Sequence, residues 1–408
     1  MHWYQFTLVV VKRVAREGPT AIPEEVSRML NAYAAAILAP DYRLPGPASP
    51  RRLRPAPKPD AASDTVYKKT MKALIIQNPG EIAIGNTAEP APKAGEVLLR
   101  VRMLGLCGSD LNTFRGKNPM VSFPRIPGHE IAATVEEVRD PASTLKPGTT
   151  VTLSPYTSCG VCASCRRGRF NACKSNQTLG VQRDGGLTDL ISVPASKIFV
   201  AEGLNLEELC IVEPLTVGFH AVARGRVTQE DSVAIFGCGG IGLGAVAAAA
   251  FRHAQTIAID IDDAKLQIAR EAGATHTINT RTEPLHEKLQ ELTAGLGPDV
   301  VIEAVGLPAT FTTAVEEVAF TGRVVYIGYA KDPVTYETRL FVQKELDILG
   351  SRNALPEDFA EVIRMLQQHR FPVKRAITRV VTFDQAPAAF TDWSNNPAAV
   401  SKIMIRVN

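Results

Sequence analysis

Cys159, Cys162, Cys165 and Cys173 are spaced C-x2-C-x2-C-x7-C, with Gly160, Ser164 and Gly168 between them. Four thiolates so close in sequence can wrap one tetrahedral ion, and soft sulfur donors suit zinc. A ferredoxin-type cluster would want three residues before the last cysteine and a proline after it; here there are seven, then Lys174. Disulfides would require an oxidising compartment, for which the sequence carries no signal. The lobe 158–174 is therefore expected to hold a structural zinc. With all four ligands from protein, that ion has no open position and should do no chemistry.

A second set of chemistry-bearing residues is dispersed. Cys107-Gly-Ser109-Asp110 follows a strand-like run, Gly128-His129-Glu130 follows a proline-rich loop, and Glu213-Pro214 lies further on. A thiolate, an imidazole and one or two carboxylates suit a zinc that keeps a position for water or substrate. Singly each is weak, because a lone loop histidine is more often a surface or satisfied core residue and a lone cysteine packs as a small hydrophobe. Cys210 reads as core for that reason. Gly237-Cys238-Gly239-Gly240-Ile241-Gly242 follows one apolar strand and opens a helix. Its first glycine permits a tight turn, the second lets backbone approach a pyrophosphate, and the third lets helix and strand pack closely. Asp260 ends the next strand, where a carboxylate accepts both ribose hydroxyls and repels a 2′-phosphate, favouring NAD over NADP. Lys265 is a further candidate at the adenine ribose, and Cys238 reads as filler.

The elements that must carry these residues change character along the chain. Met71 to Ile76, Glu96 to Arg102 and Ile131 to Val138 alternate as half-buried strands. From about residue 230 short apolar runs (Val233 to Phe236, Thr256 to Ile259, Val300 to Ala304, Val324 to Gly328) alternate with helical stretches, including Ile241 to Phe251. That rhythm predicts an α/β, doubly wound parallel sheet. A helix from about Pro356 and strands around Arg379 to Phe383 and Lys402 to Val407 complete a nucleotide domain inserted into a β-rich one.

The 408 residues carry 45 Lys+Arg against 42 Asp+Glu, a net charge of +3, too balanced to argue for nucleic acid or an anionic membrane surface. Residues 1–70 differ, with 11 Lys+Arg, 6 Asp+Glu and nine of the 28 prolines. This segment reads as a disordered N-terminal extension with one short amphipathic stretch, Glu24 to Leu38, and its removal is expected to leave activity intact. The sequence holds no run of eighteen apolar residues that would span a membrane.

Together these motifs, in this order over 71–408, resemble the zinc-dependent medium-chain alcohol dehydrogenase family. Glu130 after His129, and Glu213-Pro-Leu, look like its sorbitol and sugar-acid dehydrogenase branch. Lys344-Glu345 followed by Gly350-Ser-Arg-Asn-Ala-Leu-Pro-Glu-Asp-Phe359 is similar to enzymes that oxidise L-galactonate or L-gulonate at C5. The resemblance implies a GroES-like catalytic domain over 71–213 and 352–408 and an NAD-binding Rossmann domain over 214–351. It implies catalytic zinc on Cys107, His129 and Glu130, with Glu213 as ligand or as partner of the bound water. Asp110 would hold the second nitrogen of His129, Ser109 would take the hydroxyl proton, and Arg352 would line the substrate pocket. The alternative for Arg352 is a surface arginine after a strand. Relatives often carry a histidine proton relay three residues after Ser109, whereas this chain has Asn112, which cannot titrate. With Cys107 and Glu130 both anionic, the ion's charge is formally cancelled and its acidifying power is expected to be mild. The implied reaction is hydride transfer from a sugar acid or polyol to NAD. L-threonine or simple-alcohol oxidation, and a non-catalytic zinc- and dinucleotide-binding protein, are the alternatives. A cytoplasmic homo-oligomer, dimer or tetramer, with no membrane or nucleic-acid partner, is expected.

Overall fold

The structure is a computed structural model that describes residues 69–407. Nearly all of the N-terminal extension, with the amphipathic stretch expected over 24–38, lies outside the described residues.

The catalytic half begins with the hairpin β1 (Thr70–Asn78) and β2 (Glu81–Ala88), followed by β3 (Glu96–Gly105), β4 (Glu130–Val138), β5 (Thr150–Leu153), β6 (Leu190–Pro194) and β7 (Ile198–Val200). Val97, Leu99, Val101 and Met103 of β3 are buried, whereas Leu98, Arg100 and Arg102 between them are half-buried. That period of two is what a sheet with one covered face requires. Antiparallel pairing sets Gly105 opposite Glu130, so the end of β3 and the start of β4 bring Cys107 alongside His129.

The nucleotide half supplies β8 (Ser232–Phe236), β9 (Gln255–Asp260), β10 (His276–Asn279), β11 (Val300–Glu303), β12 (Arg323–Tyr326) and β13 (Asp347–Gly350). They form one parallel sheet in the order β10-β9-β8-β11-β12-β13. Every residue of β8 and β11 is buried, as expected of strands covered by helices on both faces. The strand order reverses between β8 and β11, and in open α/β sheets such a switch point, at the carboxyl ends of the strands, forms the ligand crevice. The chain then returns to the first sheet. β14 (Arg379–Thr382) and β15 (Ile403–Arg406) add to it, with β15 antiparallel to β3. The six-stranded sheet is thus inserted between two parts of the catalytic sheet, as the sequence rhythm predicts.

The helix Leu206–Arg224 joins the halves, so the boundary expected between 213 and 214 falls inside a helix. Asn205 caps it by accepting from the Glu208 amide at 3.0 Å, while Glu208 accepts the Asn205 amide in return. Its buried residues run from Leu209 through Val222 almost without a break, which explains its lack of an amphipathic pattern. The core passes through it continuously, from Met103 and Met404 of the catalytic sheet to Val233 and Val300 of the nucleotide sheet. It crosses the helix Gly240–Phe251 closely enough that a Cβ on Gly218 would strike the Ala245 amide, and one on Gly244 would lie 2.9 Å from the Leu215 carbonyl oxygen. Among the described residues, no helix is long and apolar enough to cross a membrane.

Candidate active site and zinc lobe

The four-cysteine lobe is built from short turns. Cys162 precedes the helical turn Ala163–Arg166, and Phe170–Ala172 forms another before Cys173. One sulfur from each of Cys159, Cys162, Cys165 and Cys173 lies within 4.8 Å of the others. The Cys162 sulfur is 3.5 Å from that of Cys165 and 3.9 Å from that of Cys173. Backbone amides of Cys165 and Lys174 point at Cys162 and hold its thiol down at about 6. Those of Val161 and Cys162 likewise lower Cys159. Amides aimed at sulfur stabilise the thiolates of Cys159 and Cys162, whereas burial pushes the Cys165 thiol up to about 11; the cluster of four cysteine sulfurs fits a tetrahedral zinc.

The second cluster forms where β3 and β4 end and begin together. Ligand atoms of Cys107, His129 and Glu130 lie within 4.8 Å of one another. Cys107 precedes the helix Gly108–Phe114. Asp110 is fully buried, and its two oxygens accept the amides of Cys107 at 2.9 Å and Gly128 at 3.0 Å. This refines the role expected for Asp110. Its carboxylate stands 3.9 Å from His129 Nδ1, in range for ionic attraction but beyond a hydrogen bond. Asp110 therefore ties together the two loops that present Cys107 and His129, and attracts the imidazole without bonding it. His129 Nδ1 and Ser109 Oγ are both buried without a hydrogen-bond partner.

Glu213 projects from the helix Leu206–Arg224 and is 4% exposed. Tyr156, also buried, donates its hydroxyl to Glu213 Oε1. Glu130 has a different partner. Lys402 Nζ donates to both of its oxygens, at 2.6 and 2.7 Å, and to the Leu106 carbonyl at 3.2 Å. Lys402 also shares a cleft with Pro214, Gly240 and Leu243, so the cluster adjoins the start of the nucleotide helix.

The electrostatics of this pocket call for a cation. Burial raises the pKa of Glu213, with Glu130 adding to the effect. Burial also raises Asp110. Tyr156 is pushed well up, by burial first and then by Glu213. For His129 burial opposes charging, yet Asp110, Cys107 and Glu213 outweigh it and leave its pKa well above the usual imidazole value. Several buried anionic groups around an imidazole and a thiol are a donor set for a divalent metal.

At the dinucleotide loop, Gly237 has φ +91°, and a Cβ on Gly242 would collide with the Gly237 carbonyl oxygen. Beside Gly239 and Gly240 there is open space, and the helix that Gly240 starts points its first amides there. Ile241 follows in the first turn. Asp260 accepts the amides of Cys238 at 2.7 Å, Ile261 at 2.7 Å and Asp262 at 3.1 Å, which fixes the carboxylate beside the loop. Lys265 lies half-buried in the first turn of the helix Asp263–Glu271.

Residues 93–202 match the alcohol dehydrogenase GroES-like domain family and residues 240–368 the zinc-binding dehydrogenase family. The L-galactonate-5-dehydrogenase of Escherichia coli K12 is 31% identical over 314 residues, covering 77% of this chain and 92% of the relative. The chain belongs to the zinc-binding alcohol dehydrogenase family. Sorbitol dehydrogenase of Bacillus subtilis is 34% identical over 289 residues, 69% of this dehydrogenase and 82% of the relative. The alcohol dehydrogenase RspB of Escherichia coli CFT073, crystallised with NADH, superposes with a TM-score of 0.77 at 29% identity, covering 83% of this chain and 99% of that one.

The structure thus brings Cys107, His129 and Glu130 into one cluster and sets Glu213 in their electrostatic surroundings. It places Arg352 half-buried in the loop after β13, where its carbonyl accepts from Asn171 Nδ2 at 2.7 Å. Cys210 and Cys238 are buried, as their surroundings in the sequence imply. Sequence reading missed Tyr156 and Lys402. An aromatic residue three positions before the first lobe cysteine offered a faint signal for Tyr156. Lys402 offered none, because a lysine entering a strand is ordinarily solvated.

Proposed function

We propose that this dehydrogenase oxidises a secondary hydroxyl of a sugar acid or polyol to the ketone, with NAD as hydride acceptor. The observation behind this is the cluster of half-buried Cys107 with buried His129 and Glu130, with Glu213 in its electrostatic surroundings, joined through Lys402 to the cleft at Gly240. The names of the relatives supply the substrate class: L-galactonate-5-dehydrogenase, sorbitol dehydrogenase and the L-idonate 5-dehydrogenase of Vitis vinifera, 33% identical over 303 residues.

Cys107, His129, Glu130 and Glu213 would hold the catalytic zinc, and Cys159, Cys162, Cys165 and Cys173 the structural one. Gly237 to Gly242, Asp260 and Lys265 would hold NAD. Bound together, these groups supply a Lewis acid for the substrate hydroxyl and an acceptor for its hydride. Ser109 is the proton acceptor in this reading, since its hydroxyl is buried, unpaired and two residues from Cys107. Asn112 cannot carry that proton onward, so the route to solvent runs through other groups. Asp110 keeps the two ligand-bearing loops in register. Tyr156 orients Glu213 by donating to one oxygen and leaving the other for the metal site. Lys402 changes the charge balance expected from the sequence. Its ammonium offsets the Glu130 carboxylate, so a zinc held by Cys107, His129 and Glu130 would face less uncompensated negative charge than the ligand set alone implies and would supply a stronger Lewis acid.

The domain reading of 71–213 with 352–408 around 214–351 belongs to this proposal, as does the pocket role of Arg352. So does a homo-oligomer joined through the nucleotide sheet, supported by its edge strand β13 with Ile348 41% exposed and the nearby Val342 82% exposed. Seven thiols without a disulfide and an NAD-linked reaction favour the cytoplasm. The test is NADH absorbance with zinc-replete protein and L-gulonate, L-galactonate, sorbitol, galactitol or L-threonine. Reduction of NAD by a sugar acid or polyol supports the reading. Turnover of L-threonine alone redirects it, and no turnover with any of them overturns it.

A further inference from the structure

Asn171 lies in the zinc lobe two residues before Cys173 and is 2% exposed. Its amide nitrogen donates to the Arg352 carbonyl at 2.7 Å and stands 2.8 Å from His220 Nε2. Because a carbonyl only accepts, the Arg352 contact fixes which amide atom is nitrogen. His220 Nε2 is then the acceptor, and Nδ1 carries the proton. That proton is donated to Asp358 Oδ2 at 2.8 Å, and both side chains are buried. The same Asp358 oxygen accepts the Leu355 amide at 2.7 Å, capping the helix Pro356–Gln367.

The loop between β13 and that helix is therefore pinned on both flanks. On its leading side the Ser351 amide donates to the Tyr326 carbonyl at 2.9 Å. In the middle, Asn353 adopts a left-handed φ of 52° and returns an amide hydrogen bond to the Asn171 carbonyl at 3.0 Å. On its trailing side stand Leu355 and Asp358. Arg352 is the residue between these anchors. A long arginine side chain gains selectivity for a carboxylate only when its base is held still.

We propose that Asn171, His220 and Asp358 are positioning residues for Arg352. They form a buried strut through which the four-cysteine lobe sets the affinity for substrates bearing a carboxylate. The inference rests on the proposed sugar-acid reading and on the pocket role of Arg352. It assigns the lobe a part in substrate selection beyond holding its own fold.

The test uses the full-length, zinc-replete protein. Arg352→Ala is expected to raise KM for L-gulonate or L-galactonate at least several-fold more than it raises KM for sorbitol. Asn171→Ala is expected to do the same by roughly tenfold, the effect of losing the buried hydrogen bonds to the Arg352 carbonyl and to His220, with kcat and NAD affinity within about twofold. Asn171→Asp keeps the shape but removes the donor to the Arg352 carbonyl, so it raises the same KM; a merely structural role would instead lower stability and weaken every substrate alike. His220→Leu, in the middle of the strut and outside the cysteine lobe, shifts the same KM, and His220→Gln, which retains a donor and an acceptor, restores it. Hydrogen exchange gives a readout independent of turnover. Amides of 351–355 exchange faster in Asn171→Ala and stay protected in Arg352→Ala. If the Arg352 variant shifts KM and the Asn171 and His220 variants do not, the strut is refuted and the pocket reading stands. If the Asn171 variants weaken every substrate alike with loss of lobe zinc, their role is structural and the inference fails. No change in Arg352→Ala removes the basis of both, and absence of wild-type turnover on sugar acids refutes the functional reading itself.

Discussion

Lys402→Met should be among the most damaging single changes in the catalytic half. Lys402 is 6% exposed and Glu130 is fully buried, with the ammonium donating to both carboxylate oxygens. Removing the lysine strands a carboxylate in a site that already holds Asp110 and Glu213. Breaking one side of a buried ion pair costs about 3–5 kcal/mol, most of it the penalty of the charge left behind. The hydrogen bond to the Leu106 carbonyl is lost as well. The assay is urea unfolding of metal-stripped protein, read as the change in midpoint at constant slope. If the cost comes from the orphaned charge, adding Glu130→Gln to Lys402→Met should recover much of it, because the neutral amide no longer needs a cation. Zinc should stabilise Lys402→Met more than wild type, since the metal becomes the remaining counter-charge for Glu130. A loss below about 1 kcal/mol, or a double variant that is worse by the simple sum, would refute the view that Lys402 neutralises Glu130.

Cys165→Ser should reduce bound zinc from two ions per chain to one by metal analysis, and destabilise the lobe, because a structural tetrahedral site needs all four ligands. Asp260→Ser should weaken NAD binding by about tenfold while affecting NADP far less, as measured by fluorescence titration, because the ribose acceptor and the repulsion of a 2′-phosphate disappear together. On the nucleotide sheet, burial of Asp231 works against its charge, but the Arg323 guanidinium and the Thr228 amide hold its pKa below the usual 3.8. A depressed folded-state pKa gives stability that is complete above the unfolded value and lost as pH falls beneath it. Asp231→Asn should therefore flatten the loss of stability below about pH 4 in acid unfolding, and an unchanged profile would exclude this pair as a contributor.

The features legible in the sequence are those whose partners are close along the chain. The cysteine spacing, the glycine-rich turn after β8 and the alternation of short apolar strands with helices are all local patterns, and each forms where expected. Contacts between distant segments left no such trace. Lys402 reaches Glu130 across 272 positions, Asn171 reaches the Arg352 carbonyl across 181, and His220 reaches Asp358 across 138. Nothing in residue type or spacing announces these pairings; they follow from the return of the C-terminal strands to the first sheet and from the path of the helix Leu206–Arg224. Asp110 shows the finer limit. The family resemblance implies a bond from Asp110 to His129, but its oxygens accept two backbone amides instead, a choice set by loop geometry at the level of an ångström.

The crossing of the helices at Gly218 and Gly244 leaves no space for even one methyl group on either side. One of these helices carries Glu213 and the other begins at the dinucleotide loop, so their contact works as a spacer of fixed thickness between metal chemistry and coenzyme. An enzyme engineer who moves the loop backbone to admit a different coenzyme would tilt the carboxylate by the same stroke. Changes of coenzyme preference in this chain should therefore be sought in side chains at and after Asp260, where the helix contact is left untouched.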